Sequence, residues 1–225
     1  MNRKVIRTAD GSKTIELTEL GETYHSRHGA LVEAQHVFIE SGLRFWLNAN
    51  SSSTAIEIFE MGLGTGMNAI LTFDQIKSLN LSCHYHAIEA FPIASEELAE
   101  LETTTWGSEE SVRAVHDSSW GEVSQATPTC TLLKQVIKWE DFESQTQFDL
   151  IYFDAFGART QPELWSDDQF IKCAQLLKPG GVFVTYSSKG SVRRALQSAD
   201  LQVEKIPGPP GKREMLRAIK PNADV

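Results

Sequence analysis

Ile56-Glu57-Ile58-Phe59-Glu60-Met61-Gly62-Leu63-Gly64-Thr65-Gly66-Met67-Asn68 is the stretch that decides the fold. A short apolar, β-branched run ends in an acid. Three glycines follow at alternate positions, and Ala69-Ile70-Leu71-Thr72-Phe73 continues with helix-compatible residues. The pattern predicts a strand, a tight turn and a helix. The glycines permit positive φ and let a ligand approach with no Cβ in the way. In an open α/β sheet, such a turn at the carboxyl end of the first strand is where nucleotide-like ligands bind. A pyrophosphate cradle favours G-x-G-x-x-G, whereas the spacing here is G-x-G-x-G with Glu60 two residues before Gly62. A carboxylate at that point repels phosphate and suits a cationic, hydroxyl-bearing ligand. S-adenosylmethionine fits, with a sulfonium, an ammonium and a ribose but no phosphate. Glu60, Gly62, Gly64, Thr65, Gly66 and Asn68 are therefore the first cofactor-binding candidates.

Downstream of the turn, Cys83 to Glu89 reads as the second strand. Its terminal acid is placed to accept hydrogen bonds from both ribose hydroxyls. Phe91 follows, either against adenine or in the core, and Pro92 suits the first turn of a helix running through Leu101. Residues 102–128 are weakly patterned and read as loops around a short helix. Thr131–Ile137 is the third strand, and Trp139 just after it is a candidate wall for adenine. Phe148–Asp154 is a buried-type strand ending in an acid. In a doubly wound order Asp154 lies beside the glycine turn, where the reacting atoms of a methyl donor would be, and it is the catalytic candidate. A helix over Ser166–Leu177, a stop at Lys178-Pro179-Gly180-Gly181, a strand at Val182–Tyr186, a helix over Gly190–Ala199 and two terminal strands close the chain in the manner of a class I methyltransferase.

Upstream, two alternating runs around Asp10-Gly11-Ser12 predict a β-hairpin. Tyr24 to Ala30 is a polar loop whose side chains pack over the ligand mouth. Its two histidines have no companions at metal-ligand spacing, so no metal is expected. Leu31 to Leu47 has helical periodicity. The expected fold class is α/β, a Rossmann-like class I sheet with a terminal antiparallel strand pair. Residues 1–22 form the hairpin extension and residues 23–225 the methyltransferase domain.

The chain has 225 residues, 41% of them hydrophobic, enough for one sizeable core. No apolar run is long enough to span a bilayer, the start lacks a signal-like core, and three scattered cysteines are no disulfide framework. These features lead to the expectation of a cytoplasmic protein without membrane contact. A net charge of −9 argues against indiscriminate nucleic-acid binding. The charge is uneven, though: residues 89–122 hold nine acids and one arginine, while residues 186–220 hold eight Lys/Arg and three acids. The basic C-terminal stretch is either a solvated face or a surface for a defined RNA.

Several stretches together resemble the MnmC-type family of tRNA 5-methylaminomethyl-2-thiouridine methyltransferase domains. They are Glu60–Asn68, Glu89-Ala90-Phe91-Pro92, Phe153-Asp154-Ala155-Phe156 with Pro162-Glu163-Leu164-Trp165, Ser188–Arg194 and Gly211-Lys212-Arg213-Glu214-Met215-Leu216. Tyr24–Glu40 resembles the family's entry segment. The resemblance implies methyl transfer from S-adenosylmethionine to the 5-aminomethyl nitrogen of a wobble uridine in tRNA. It also implies a domain standing without the flavin oxidase fused to it in some members, with a separate protein supplying the aminomethyl group. Asp154 would aim the amine, and Arg193, Arg194, Lys212 and Arg213 would meet RNA phosphates. The chain lacks the Gly-Asp that many members carry near Lys138-Trp139-Glu140. Rival readings are a methyl- or aminopropyltransferase for a small-molecule amine and a tRNA-binding protein without turnover. A nicotinamide dehydrogenase is disfavoured by the glycine spacing.

Overall fold

In the computed structural model, which describes residues 2–79 and 81–222, the Asp10-Gly11 turn joins β1 (Arg3–Arg7) to β2 (Lys13–Leu17). A short β3 (Glu22–Thr23) completes a small antiparallel sheet. Met1 and residues 223–225, the ends of the expected domain bounds, lie outside the described residues. The main sheet is made of β4 (Ala55–Met61), β5 (Ser82–Glu89), β6 (Val123–Thr127), β7 (Cys130–Val136), β8 (Phe148–Phe153), β9 (Leu177–Thr185), β10 (Gln202–Pro207) and β11 (Glu214–Ile219). Their order is β10-β11-β9-β8-β4-β5-β7-β6. β4, β5, β7, β8 and β9 run parallel, while β6, β10 and β11 pair antiparallel at the two ends. The order reverses at β4, so the crevice outside the carboxyl ends of β4 and β8 is the topological switch point.

The alternation of strand side chains divides the core into two layers. Ile56 and Ile58 of β4 face one side with Tyr85, Leu150 and Tyr152, under the helices Met67–Ile76 and Glu109–His116. Phe59 and Met61 face the other side with Ile151, Phe153 and Phe183, under the helices Asp167–Leu176 and Gly190–Ser198. A continuous helix from Ala30 to Ala49, π-wound over Gln35–Arg44, covers the first face. Gly42 lets this helix lie close to the sheet. A Cβ there would come within 3.1 Å of Val184 and 3.2 Å of Tyr152.

Three local expectations are corrected. Pro92 is not in a helix: the helix spans Ser95–Glu100, because Glu97 Oε2 accepts from the Ala94 N–H and starts it three residues later. Lys178-Pro179-Gly180-Gly181 is not a break before a strand but part of β9, bulged against β8. The Gly180 N–H bonds to Lys220 O at 2.9 Å and the Lys220 N–H to Gly181 O at 2.9 Å, so the end of β11 draws the segment into the sheet. Residues 123–127, read as loop, form the edge strand β6, whose half-polar sequence gives little strand signal.

Candidate active site

At the carboxyl edge of β4, β5 and β8 lies a cavity of about 690 Å³, within the range of small-ligand sites. The glycine turn forms its floor. Gly62, at φ +89°, brings the chain against the Asp154 carbonyl, which a Cβ would meet at 2.8 Å. Gly64, at φ +52°, lies under the Tyr24 ring. The turn's amides are used internally. Gly62 and Leu63 N–H both bond to Ile88 O, Gly66 N–H bonds to Leu63 O, and Gly64 N–H bonds to Glu89 Oε2 at 3.0 Å. None of these four is left to cradle a phosphate.

Gly62, Gly64, Thr65, Asn68, Glu89, Phe91 and Asp154 all line the cavity. Glu89 accepts a second backbone bond, from Phe91 N–H at 2.9 Å, which fixes both carboxylate oxygens at the rim. Phe91 is 59% exposed, so it is not a core residue. Two of the expected contacts are not made. Gly66 faces away from the cavity, where a Cβ would meet Val115 at 2.6 Å; it lets the helix Glu109–His116 pack against the turn, and His116 Nε2 reaches Thr65 O at 3.0 Å. Glu60 is fully buried and absent from the cavity wall. Strand alternation places it with Ile56 and Ile58 rather than with Met61, beneath the helix Met67–Ile76. Its oxygens meet Asn68 Nδ2 at 2.8 Å and the Tyr85 hydroxyl at 2.9 Å. The exclusion of phosphate expected from Glu60 therefore does not come from that residue.

Asn68 connects the two levels. Its Nδ2 also donates to Asp154 Oδ2 at 2.9 Å. Asp154 sits just past β8, where its N–H bonds to Met61 O. Burial pushes its carboxyl up to about 7 and the nearby Glu33 adds to this, while the Asn68 bond and the Lys212 charge pull the other way. Six carboxyl groups line the cavity, from Glu22, Glu33, Glu89, Glu140, Asp154 and Glu163, against the cations of Arg3, Lys138 and Lys212. The balance favours a cationic guest.

The small N-terminal sheet supplies the roof. Arg3 bonds to Phe91 O at 2.8 Å and Glu97 Oε2 at 3.0 Å, and its guanidinium lies 5.9 Å from the Tyr24 ring centre. His25 is half-buried between two threonine hydroxyls, Thr14 at 2.9 Å and Thr65 at 3.2 Å, and desolvation drives its imidazole down to about 4. The two histidines of this loop are thus parted in role, with His28 packed on Gly211. Trp139 is 3% exposed and packs among Phe59, Phe142 and Phe153, with Lys172 Nζ 4.4 Å from its ring centre. It nevertheless lines the cavity.

Sequence reasoning missed two partners of the site, Glu33 and Tyr186. Lys212 does not join the basic surface but turns inward. Its ammonium donates to Glu33 Oε1 at 2.7 Å and sits 4.0 Å from the Tyr186 ring centre, with both partners on the cavity wall. Glu33 Oε2 also accepts from Ser26 N–H at 2.8 Å. The helical periodicity sets Glu33 off the apolar face, and only its match to the family's entry segment pointed to it; in the structure it is buried. Arg194 and Arg213 are exposed. Arg193 is half-buried and, with Arg213, acts on Glu214, which Lys205 already pairs at 2.8 Å.

Residues 120–221 match a family model described as S-adenosyl-L-methionine-dependent methyltransferase. Over 215 residues the chain is 31% identical to the tRNA 5-methylaminomethyl-2-thiouridine biosynthesis bifunctional protein MnmC of Nitrosospira multiformis, covering 91% of this chain and 35% of that protein. The protein of the same name from Chromobacterium violaceum is 29% identical over 209 residues, covering 87% and 31%. The chain thus spans about a third of the length of these curated relatives. A crystal structure of MnmC2 from Aquifex aeolicus covers the whole of this chain and 73% of its own, with a TM-score of 0.76 at 24% identity, and shares the fold. The C-terminal part of the chain thus matches the S-adenosyl-L-methionine-dependent methyltransferase family, and nearly the whole chain is similar to about a third of the MnmC proteins.

Proposed function

We propose that the protein methylates the 5-aminomethyl nitrogen of a wobble uridine in tRNA, with S-adenosylmethionine as donor. The observation that carries this reading is Asp154, a carboxyl held near neutrality beside the glycine turn, in an acid-lined cavity. The names of the relatives support the choice of tRNA as the acceptor. Glu89 is the partner for the ribose hydroxyls and Phe91 a face for the base. Lys138 and Trp139 also line the cavity. The donor, when bound, supplies a methyl carbon activated by its sulfonium, so the chain's task is to hold and deprotonate the nucleophile.

An alkyl ammonium, with a reference value near ~10, must lose a proton before it can attack. An ordinary carboxylate near ~4 is about six units too weak as a base, or about 8 kcal/mol. With Asp154 raised to about 7, the gap narrows to about three units, or about 4 kcal/mol. Asp154 then takes the amine's proton and, as the neutral acid, keeps a hydrogen bond to the nitrogen that aims it at the methyl carbon. Lys212 inside the cavity opposes the protonated form of the acceptor. Arg194 and Arg213 are the exposed cations available to RNA phosphates, with Arg193 behind them.

Labelled S-adenosylmethionine and undermodified tRNA, followed by mass analysis of the nucleosides, test the reading. A labelled methyl on the 5-aminomethyl nitrogen supports it. Label on a ring or ribose atom overturns it, and so does label transferred only to a free small-molecule amine.

A further inference from the structure

Glu60 stands in the sequence where an acid would meet a cationic ligand, yet the cavity wall passes over it from Met61 to Gly62. Its side chain is 0% exposed. Both oxygens are bound to neutral groups, the Asn68 amide at 2.8 Å and the Tyr85 hydroxyl at 2.9 Å. The charged groups that face it are Asp154 from beyond β8 and Glu89 from β5, and both are acids. The nearby phenols of Tyr85 and Tyr152 are held neutral by burial, and Thr72 meets the Tyr152 hydroxyl at 3.2 Å. No cation is paired with Glu60 among the described residues. A carboxylate in such a place is strongly disfavoured against its protonated form.

We propose that Glu60 carries a proton in the working protein and serves as a positioning residue. Its neutral carboxyl holds the Asn68 amide, and the amide in turn holds Asp154 toward the acceptor. The part concerning Asp154 rests on the function proposed above. Asn68 Oδ1 is buried without a partner, so the amide is oriented by the two carboxyl groups on its Nδ2 alone. A neutral Glu60 leaves one negative charge on this chain of groups, at the end that meets the amine. Two charged ends would compete for one amide and repel each other.

The charge of Glu60 and its shape are separated by comparing Glu60→Gln with Glu60→Ala. Donor affinity is read by calorimetry, methyl transfer by kcat and KM, and protonation by infrared spectroscopy of the wild-type protein against Glu60→Gln. Gln, which keeps the bonds without the charge, keeps donor affinity and kcat within about threefold. Ala lowers kcat by about 10–100-fold, as loss of a supporting hydrogen bond does, with donor affinity little changed. The wild-type spectrum at neutral pH contains the C=O stretch of a protonated carboxyl that Glu60→Gln removes. The proposal is overturned if Gln weakens donor binding tenfold or more, if Gln lowers kcat as far as Ala, or if that stretch is missing. If Glu60→Ala does not fold, the Gln variant and the spectrum still decide. Donor binding and the spectrum need no tRNA, so a wrong acceptor would leave them standing.

Discussion

Glu89 and Asp154 end neighbouring parts of one sheet edge and open on one cavity, but their surroundings differ. Glu89 is gripped by two backbone N–H groups, from Gly64 and Phe91, at a rim where Phe91 is mostly exposed. Asp154 has one amide donor, Asn68 Nδ2, and burial raises its carboxyl to about 7. One acid has both oxygens engaged by backbone amides. The other has a single amide donor and a carboxyl raised by burial. Residue type alone does not separate them; the number of donors and the depth of burial do.

The largest expected effect breaks the comparison at its chemical end. Asp154→Asn keeps the shape and the Asn68 contact surface but cannot take a proton. Methyl transfer at saturating donor should fall by about 10²–10⁴-fold while donor affinity stays within about threefold. Near-normal turnover of that variant in a single-turnover assay would remove Asp154 from the mechanism. Glu89→Ala strikes the other end. Loss of charged hydrogen bonds to the ribose should weaken donor binding by about 10–100-fold, with kcat at saturation nearly retained. An unchanged dissociation constant in a titration would mean that Glu89 serves only the Gly64 and Phe91 amides.

A smaller effect sharpens the contrast through stability. Asp154 has a folded value of about 7 against an ordinary 3.8, so the native state binds more protons between those limits. Stability from this group is full below about 3.8 and is lost as pH rises through about 7. Asp154→Asn should therefore be more stable than wild type at pH 8, by about 1–3 kcal/mol, and lose that advantage at pH 4. Equal denaturant midpoints at both pH values would show that burial does not act on this carboxyl. The smallest effect lies outside the cavity. Replacing Arg194 or Arg213 should lower the salt slope of tRNA binding by about one each, with donor affinity unchanged. Slopes that stay the same would make them a solvated face.

The parallel sheet and its switch point were legible because β4, β5 and β8 carry apolar runs and β4 ends in glycines. Glu89, Asp154 and Phe91 line the cavity, each at or just past the end of a strand that the pattern locates. Glu60 shows where that reading fails. An acid before a glycine turn resembles a ligand group, but the twofold period of a central strand puts it on the Ile56 and Ile58 face. The period was available in the sequence and outweighs the motif. Lys212 shows a different limit. Its neighbour Arg213 is exposed, and only the return of the Pro207–Arg213 loop onto His28 and Glu33 turns the side chain inward. That contact joins residues 179 positions apart, and no local pattern encodes it. Edge strand β6 was invisible for a third reason. Its pairing with β7 supplies the order that its own half-polar residues do not.

The central claim is that the cavity makes Asp154 a proton acceptor near neutral pH, and the pH dependence of single-turnover methyl transfer at saturating donor and tRNA tests it most directly. The account predicts a rate that climbs about tenfold per unit of pH at the acid end and levels above about 7, where Asp154 is ionised. It also predicts that this limb disappears from the residual activity of Asp154→Asn. A wild-type profile flat from about pH 5 to 8, or a limb near the ordinary carboxylate range of ~4, would contradict it.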